Sequence, residues 1–127
     1  MRTTILTLLV FVVSAMHAAD YNIVDYGAKN DTTVLSTKAL QQAIDDCSKA
    51  GGGRVIIPTG NYKIGSIILR SDVHLYLERG ATLYGSTDLN DYQPMKSDYV
   101  SLRTQTTTIQ LIYADKVKNV SIEGFGT

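Results

Sequence analysis

The adjacent carboxylates Asp45-Asp46, the imidazole of His74 and the thiol of Cys47 carry the most evident chemistry in this sequence. Two carboxylates serve as general acid and general base only if both reach the same reacting bond. Asp45 and Asp46 fall in a run with helical spacing, where neighbours point about 100° apart. They read as a solvated helix face. His74 alternates with Val73 and Leu75, which turns it outward on a strand. The other histidine, His17, lies in the leader described below, so no histidine pair is left for a metal site. Cys47 is the only cysteine, so no internal disulfide can form; an odd thiol can pair between chains, but its place on an apolar stripe favours a small buried hydrophobe.

Gly51-Gly52-Gly53 invites comparison with a phosphate-cradling loop, which needs a strand before it and a helix after it. Here the helical pattern comes first and the β-branched run Val55-Ile56-Ile57 follows, so the glycines read as a junction. Pro58 closes that run, and Thr59-Gly60-Asn61 is a turn by composition. Tyrosine outnumbers phenylalanine eight to two and tryptophan is absent, a balance suited to exposed sheet surfaces that meet sugars. Tyr76, Tyr84, Tyr92 and Tyr99 are the candidates for stacking on sugar rings.

These groups must be positioned by one domain, since 127 residues leave room for no more. Twelve basic and twelve acidic residues give no field that draws the chain to nucleic acid or anionic membranes. Residues 1–19 read as a signal peptide, with Arg2, an apolar run at 5–13 and small residues at Ser14, Ala15, Ala18 and Ala19. The run is too short to span a bilayer. Cleavage after Ala15, Ala18 or Ala19 fits, and the expected location is secreted or periplasmic, with no membrane contact after signal removal.

The mature region, 20–127, reads as follows. Residues 21–24 form a strand, and the polar stretch 29–33 is a turn able to cap a helix. Residues 36–50 form an amphipathic helix with the apolar stripe Ala39, Leu40, Ala43, Ile44 and Cys47, closed by a left-handed Gly51. Short strands follow at 55–57, 62–64, 66–69, 73–77 and 81–84. A polar insertion at 86–105 contains Asp88, Asp91, Tyr92, Pro94 and Tyr99, and the strand pattern returns at 107–114 and 117–122. Asn30-Asp31-Thr32 and Asn119-Val120-Ser121 match the glycosylation sequon.

The pair Val55/Ile57 recurs as Leu75/Leu77 after twenty residues, and no hairpin dipeptide separates the strands. That pattern predicts an all-β chain of stacked parallel coils with the helix 36–50 covering the N-terminal end. A β-sandwich is the competing architecture, and periodicity alone does not separate the two.

Several segments together carry a family resemblance. They are Asp25-Tyr26-Gly27-Ala28, Ala43-Ile44, Gly51-Gly52-Gly53-Arg54-Val55, Pro58-Thr59-Gly60-Asn61-Tyr62, Gly80-Ala81-Thr82-Leu83 and Gly85-Ser86. The chain resembles the N-terminal part of polygalacturonase-type pectin hydrolases, glycoside hydrolase family 28, within the wider pectin-active parallel β-helix group. The resemblance implies a right-handed parallel β-helix, export, and inverting hydrolysis of galacturonosyl linkages by aspartates without a cofactor. The family's Asn-Thr-Asp, Asp-Asp, His-Gly and Arg-x-Lys segments belong to later coils and have no counterpart here in matching context. Hence no catalytic, cofactor-binding or metal-binding residue is assigned, and the chain is expected to be a truncated N-terminal part, inactive alone. Its expected partner is pectin or a related plant cell-wall polysaccharide, through the full-length protein, together with self-association through an open C-terminal end. Two alternatives stand beside this: a non-catalytic carbohydrate-binding or adhesive module, and a calcium-dependent pectate lyase, for which no cluster of acidic ligands is evident.

Overall fold

The computed structural model describes residues 19–95 and 108–127. Residues 1–18 of the leader and residues 96–107, Tyr99 included, lie outside the described residues, whereas Ala19, the last residue read as leader, is described as the start of a strand. The chain runs β1 (Ala19–Asn22), β2 (Asp31–Leu35), α1 (Thr37–Lys49), β3 (Gly53–Ile57), β4 (Gly60–Ile64), β5 (Ile67–Ile68), β6 (Val73–Leu77), β7 (Ala81–Gly85), β8 (Ile112–Tyr113) and β9 (Ser121–Gly124). These strands form three parallel sheets: β1-β3-β6-β9, β2-β4-β7 and β5-β8, called here A, B and C. Successive strands along the chain change sheet, so each pass contributes to a coil that pairs with the one above it.

Stacking puts like on like. Val55 pairs with Leu75 and Ile57 with Leu77, and all four are buried. Gly53, Val55 and Ile57 alternate inward with Val73, Leu75 and Leu77, the period of two that a half-buried strand requires. Tyr62, Ile64 and Ile67 complete the interior from sheets B and C, and no buried side-chain polar atom lacks a partner among the described residues. Each Leu or Ile so buried contributes about 1.5–3 kcal/mol relative to exposure.

Ala39, Leu40, Ala43, Ile44 and Cys47 are all buried on α1, which packs against β1, β3, β5 and β6. Its end is built as the glycines predict. Gly51 takes φ +99°, its N–H donates to the Ser48 carbonyl at 3.1 Å, and the Gly52 N–H donates to the Cys47 carbonyl at 2.9 Å. This pair of bonds satisfies carbonyls that a helix end otherwise leaves open. At Gly53 a Cβ would meet the Ala19 carbonyl oxygen at 2.3 Å, so glycine is what lets β1 lie against β3.

Several local readings change. Gly60 and Asn61, read as part of a turn, open β4, and the strand expected at 66–69 is only Ile67–Ile68. Residues 21–24 are half strand: after Asn22 the chain turns into a 3-10 helix, Ile23–Tyr26, because the Asn22 side chain accepts from the Val24 N–H at 2.9 Å. The stretch 29–33 does not cap α1; β2 occupies most of it, paired with β4 through a shifted register. Every residue of β2 is exposed, so no apolar alternation marks it. Within 107–114 the strand proper is only Ile112–Tyr113, with an isolated antiparallel bridge between Pro94 and Ile109. The strand expected at 117–122 starts late, at Ser121, because Lys116 and Asn119 take left-handed conformations that turn the chain first.

Candidate functional site

With the interior filled by apolar side chains, chemistry is confined to the outer faces of the sheets. On sheet A, strand pairing aligns Asp20, Arg54, His74 and Ser121 in one row and Asn22, Ile56, Tyr76 and Glu123 in the next. The arginine of this face is already engaged. Arg54 makes a two-pronged contact with Asp20 at 3.0 and 2.9 Å, and its guanidinium lies 5.2 Å over the Tyr76 ring. That contact holds the Asp20 carboxyl below its ordinary range, chiefly through the hydrogen bond from Arg54. His74 Nδ1 lies 2.6 Å from Ser121 Oγ, joining β6 to β9.

Sheet B is different. Tyr62 and Ile64 point inward, so Asn61 and Lys63 face out, and register places Asn61 beside Thr82 and Lys63 beside Tyr84. The Tyr84 side is open, with 45% of the residue exposed. Parallel neighbours lie about 4.8 Å apart and same-face positions along a strand about 6.6 Å apart, so these four side chains share one small patch. An amide, a hydroxyl, an ammonium and an aromatic ring there form a set suited to a polar, ring-shaped ligand.

The foot of the insertion flanks this patch. Gly65 follows β4 directly, and the Asp91 backbone oxygen lies so close over it that no Cβ would fit. The Tyr92 hydroxyl donates to the Ser86 carbonyl at 2.6 Å, and Ser86 Oγ donates to the Asp91 carboxylate. Ser66 Oγ donates to the Gln110 carbonyl at 2.6 Å and accepts from the Gln93 N–H at 3.1 Å, tying both sides of the insertion to one coil.

The sequence-derived candidates separate accordingly. Asp45 and Asp46 diverge, but neither is simply solvated: Asp45 pairs with Arg70 at 3.2 Å, and Asp46 accepts from the Tyr26 hydroxyl at 3.0 Å. Burial first, and then that bond, push the Tyr26 phenol upward. Cys47 is buried with its thiol pushed up by desolvation, the state of an inert packing residue. Of the four tyrosines, Tyr76 lies beneath Arg54, Tyr92 is spent on the insertion's own turn, and Tyr84 alone presents an open ring among the described residues. Lys63 escaped notice in the sequence, although the alternation of Tyr62, Lys63 and Ile64 already marks it as outward. Among the described residues no group of three or more His, Cys, Asp or Glu side chains is arranged to hold a metal. No helix there is long and apolar enough to cross a membrane.

Residues 21–124 match the family described as rhamnogalacturonase A/epimerase, pectate lyase-like. The chain is 42% identical over 113 residues to an exo-poly-alpha-D-galacturonosidase of Dickeya chrysanthemi, covering 83% of this chain and 18% of that protein. The structure of a family 28 exopolygalacturonase from Yersinia enterocolitica superposes with a TM-score of 0.73 at 37% identity, over 85% of this chain and 20% of that one. A shorter match, 41% over 64 residues, is to alginate lyase 7 of Azotobacter vinelandii, covering 44% of this chain and 8% of that protein. The chain thus spans about a fifth of the length of the polygalacturonases it matches.

Proposed function

Since this chain belongs to the rhamnogalacturonase A/epimerase, pectate lyase-like family, we propose that it forms the N-terminal coils of an exported pectin-degrading glycoside hydrolase acting on galacturonosyl linkages. The observation that carries this reading is the 42% identity to the Dickeya chrysanthemi galacturonosidase, spread over 83% of the chain. In this reading the coils wind right-handed and α1 covers their N-terminal end. Its buried stripe and its packing against β1, β3, β5 and β6 support that. Residues 1–19 act as the export signal.

An inverting mechanism needs one carboxylic acid at the leaving oxygen and one carboxylate holding water across the ring, about 6.5–9.5 Å apart. Asp45 and Asp46 are committed to Arg70 and Tyr26, so this pair supplies neither group. In this reading the 127 residues contribute scaffold and saccharide contacts, while acid and base come from the later coils of the full-length enzyme, where the resemblance puts the Asn-Thr-Asp and Asp-Asp segments. A uronate lyase is the second reading, favoured by the match to alginate lyase 7.

The test is a transplant. Residues 21–124 of this chain replace the matching segment of the Dickeya chrysanthemi enzyme, and reducing sugar released from polygalacturonate is measured. Retained release is the expected result. A folded chimera that releases none overturns the hydrolase reading.

A further inference from the structure

We propose that Lys63 and Tyr84, adjacent on the outer face of sheet B, form a subsite for one uronate unit of an acidic polysaccharide; this deepens the pectin reading above and rests on it. The first observation is an unspent charge. Arg54 is held by Asp20, Arg70 by Asp45, and Arg79 lies 5.4 Å over the Phe125 ring, which engages every described arginine. Lys63 is half-buried in the middle of a sheet, and among the described residues its ammonium has neither hydrogen bond nor ion pair. It is also the lone lysine within any described strand. Its backbone is fixed on both sides, by the pairing with β7 and by the Ser36 N–H, which donates to its carbonyl at 2.8 Å.

The second observation is what lies beside it. Tyr84 is its register partner and is 45% exposed, so a flat ring and a cation stand about one strand spacing apart. A pyranose carrying a carboxylate fits both at once, its apolar ring face against the phenol and its carboxylate at the ammonium. Asn61 and Thr82 offer an amide and a hydroxyl one row away, suited to ring hydroxyls. Like charge does not intrude from the flanking strand. The one carboxylate of β2, Asp31, is turned onto the Thr33 N–H at 2.8 Å and the Thr33 hydroxyl at 2.6 Å. The outer face of sheet A, with Arg54 neutralised by Asp20, offers no such free charge.

The experiment uses the 127-residue protein and reads backbone amide shifts by NMR. The probes are galacturonate hexamer, galactose hexamer of equal length, and an alginate hexamer. Galacturonate should shift amides in β4 and β7 around Lys63 and Tyr84, and the neutral hexamer should bind about three- to tenfold more weakly. Lys63→Met should abolish the preference for the charged hexamer, Lys63→Arg should restore it, and Tyr84→Ala should weaken both hexamers. Shifts confined to other faces, or wild-type affinity in Lys63→Met, overturn the subsite while leaving the pectin reading in place. Shifts in β4 and β7 from alginate alone support the uronate subsite and overturn the pectin reading. Failure of all three probes to shift β4 and β7 overturns the subsite.

Discussion

Asp72 and Asn119, one coil apart at the same corner, both take left-handed conformations, with φ +65° and +55°, and the Asn119 amide donates to the Asp72 carboxylate at 3.2 Å. Gly52 precedes them in the same column at φ +105°, and a Cβ there would meet the Asp72 carbonyl oxygen at 2.6 Å. A left-handed residue costs roughly 1–2 kcal/mol unless it is glycine or a short polar side chain that bonds locally. Asp72→Gly should therefore be nearly neutral and Asp72→Val destabilising by about 2 kcal/mol, while Gly52→Ala should be the most damaging of the three. Urea midpoints at constant slope would check the order; a valine variant as stable as glycine would contradict it.

The Asp20–Arg54 contact sets an acid dependence. Asp20 is depressed below its ordinary value in the folded state, so its stabilising contribution is present above that ordinary value and disappears as pH falls through the depressed one. Arg54→Met should lower the melting temperature at neutral pH and leave it nearly unchanged in strong acid. Both side chains are close to half exposed, so salt should shrink the difference. Melts at pH 7 and pH 2 in low and high salt test this, and an equal loss at both pH values would place the effect in Tyr76 packing instead.

At the alkaline end the sign reverses. Tyr26 and Tyr62 are both raised, chiefly by burial, so each contributes stability below the ordinary phenol range that is lost as pH climbs through the raised value. Native protein should resist phenolate formation for these two tyrosines and then unfold as they ionise. Ultraviolet difference titration beside circular dichroism would show this. All eight tyrosines titrating together at the ordinary value in folded protein would refute it.

Cys47 should react slowly with thiol reagents in native protein and at once after denaturation, because it is buried and its thiol is raised. Rapid native labelling, or a reductant-sensitive dimer, would mean that α1 leaves its seat.

Ile122 pairs with the buried Leu75 and so lies on the inward side of sheet A, yet it is 52% exposed, and Phe125 is 71% exposed. Apolar groups beside strand edges favour association between copies. The 127-residue protein should self-associate with rising concentration, and Ile122→Lys should suppress this more than a charge placed at Leu89. Light scattering after size exclusion is the measurement; a monodisperse monomer at high concentration would sink the idea.

What the sequence determined by itself follows from periods and breakers. Helical spacing gave α1 and its buried face, strict alternation gave β6 to the residue, and the twenty-residue echo of Val55/Ile57 in Leu75/Leu77 gave the stacking. The readings that failed sit where local chemistry is silent or misleading. β2 is exposed throughout, its Val34 and Leu35 included, and becomes a strand only because β4 supplies its partners, while residues 23–26 leave the strand because one Asn22 side chain competes for a backbone N–H. The surface patch was equally hidden. Lys63 and Tyr84 lie twenty-one residues apart, one more than the interior echo, because the turn before β7 is a residue longer than the turn before β4. Only strand register, a property of backbone hydrogen bonds between coils, brings that cation and that ring side by side.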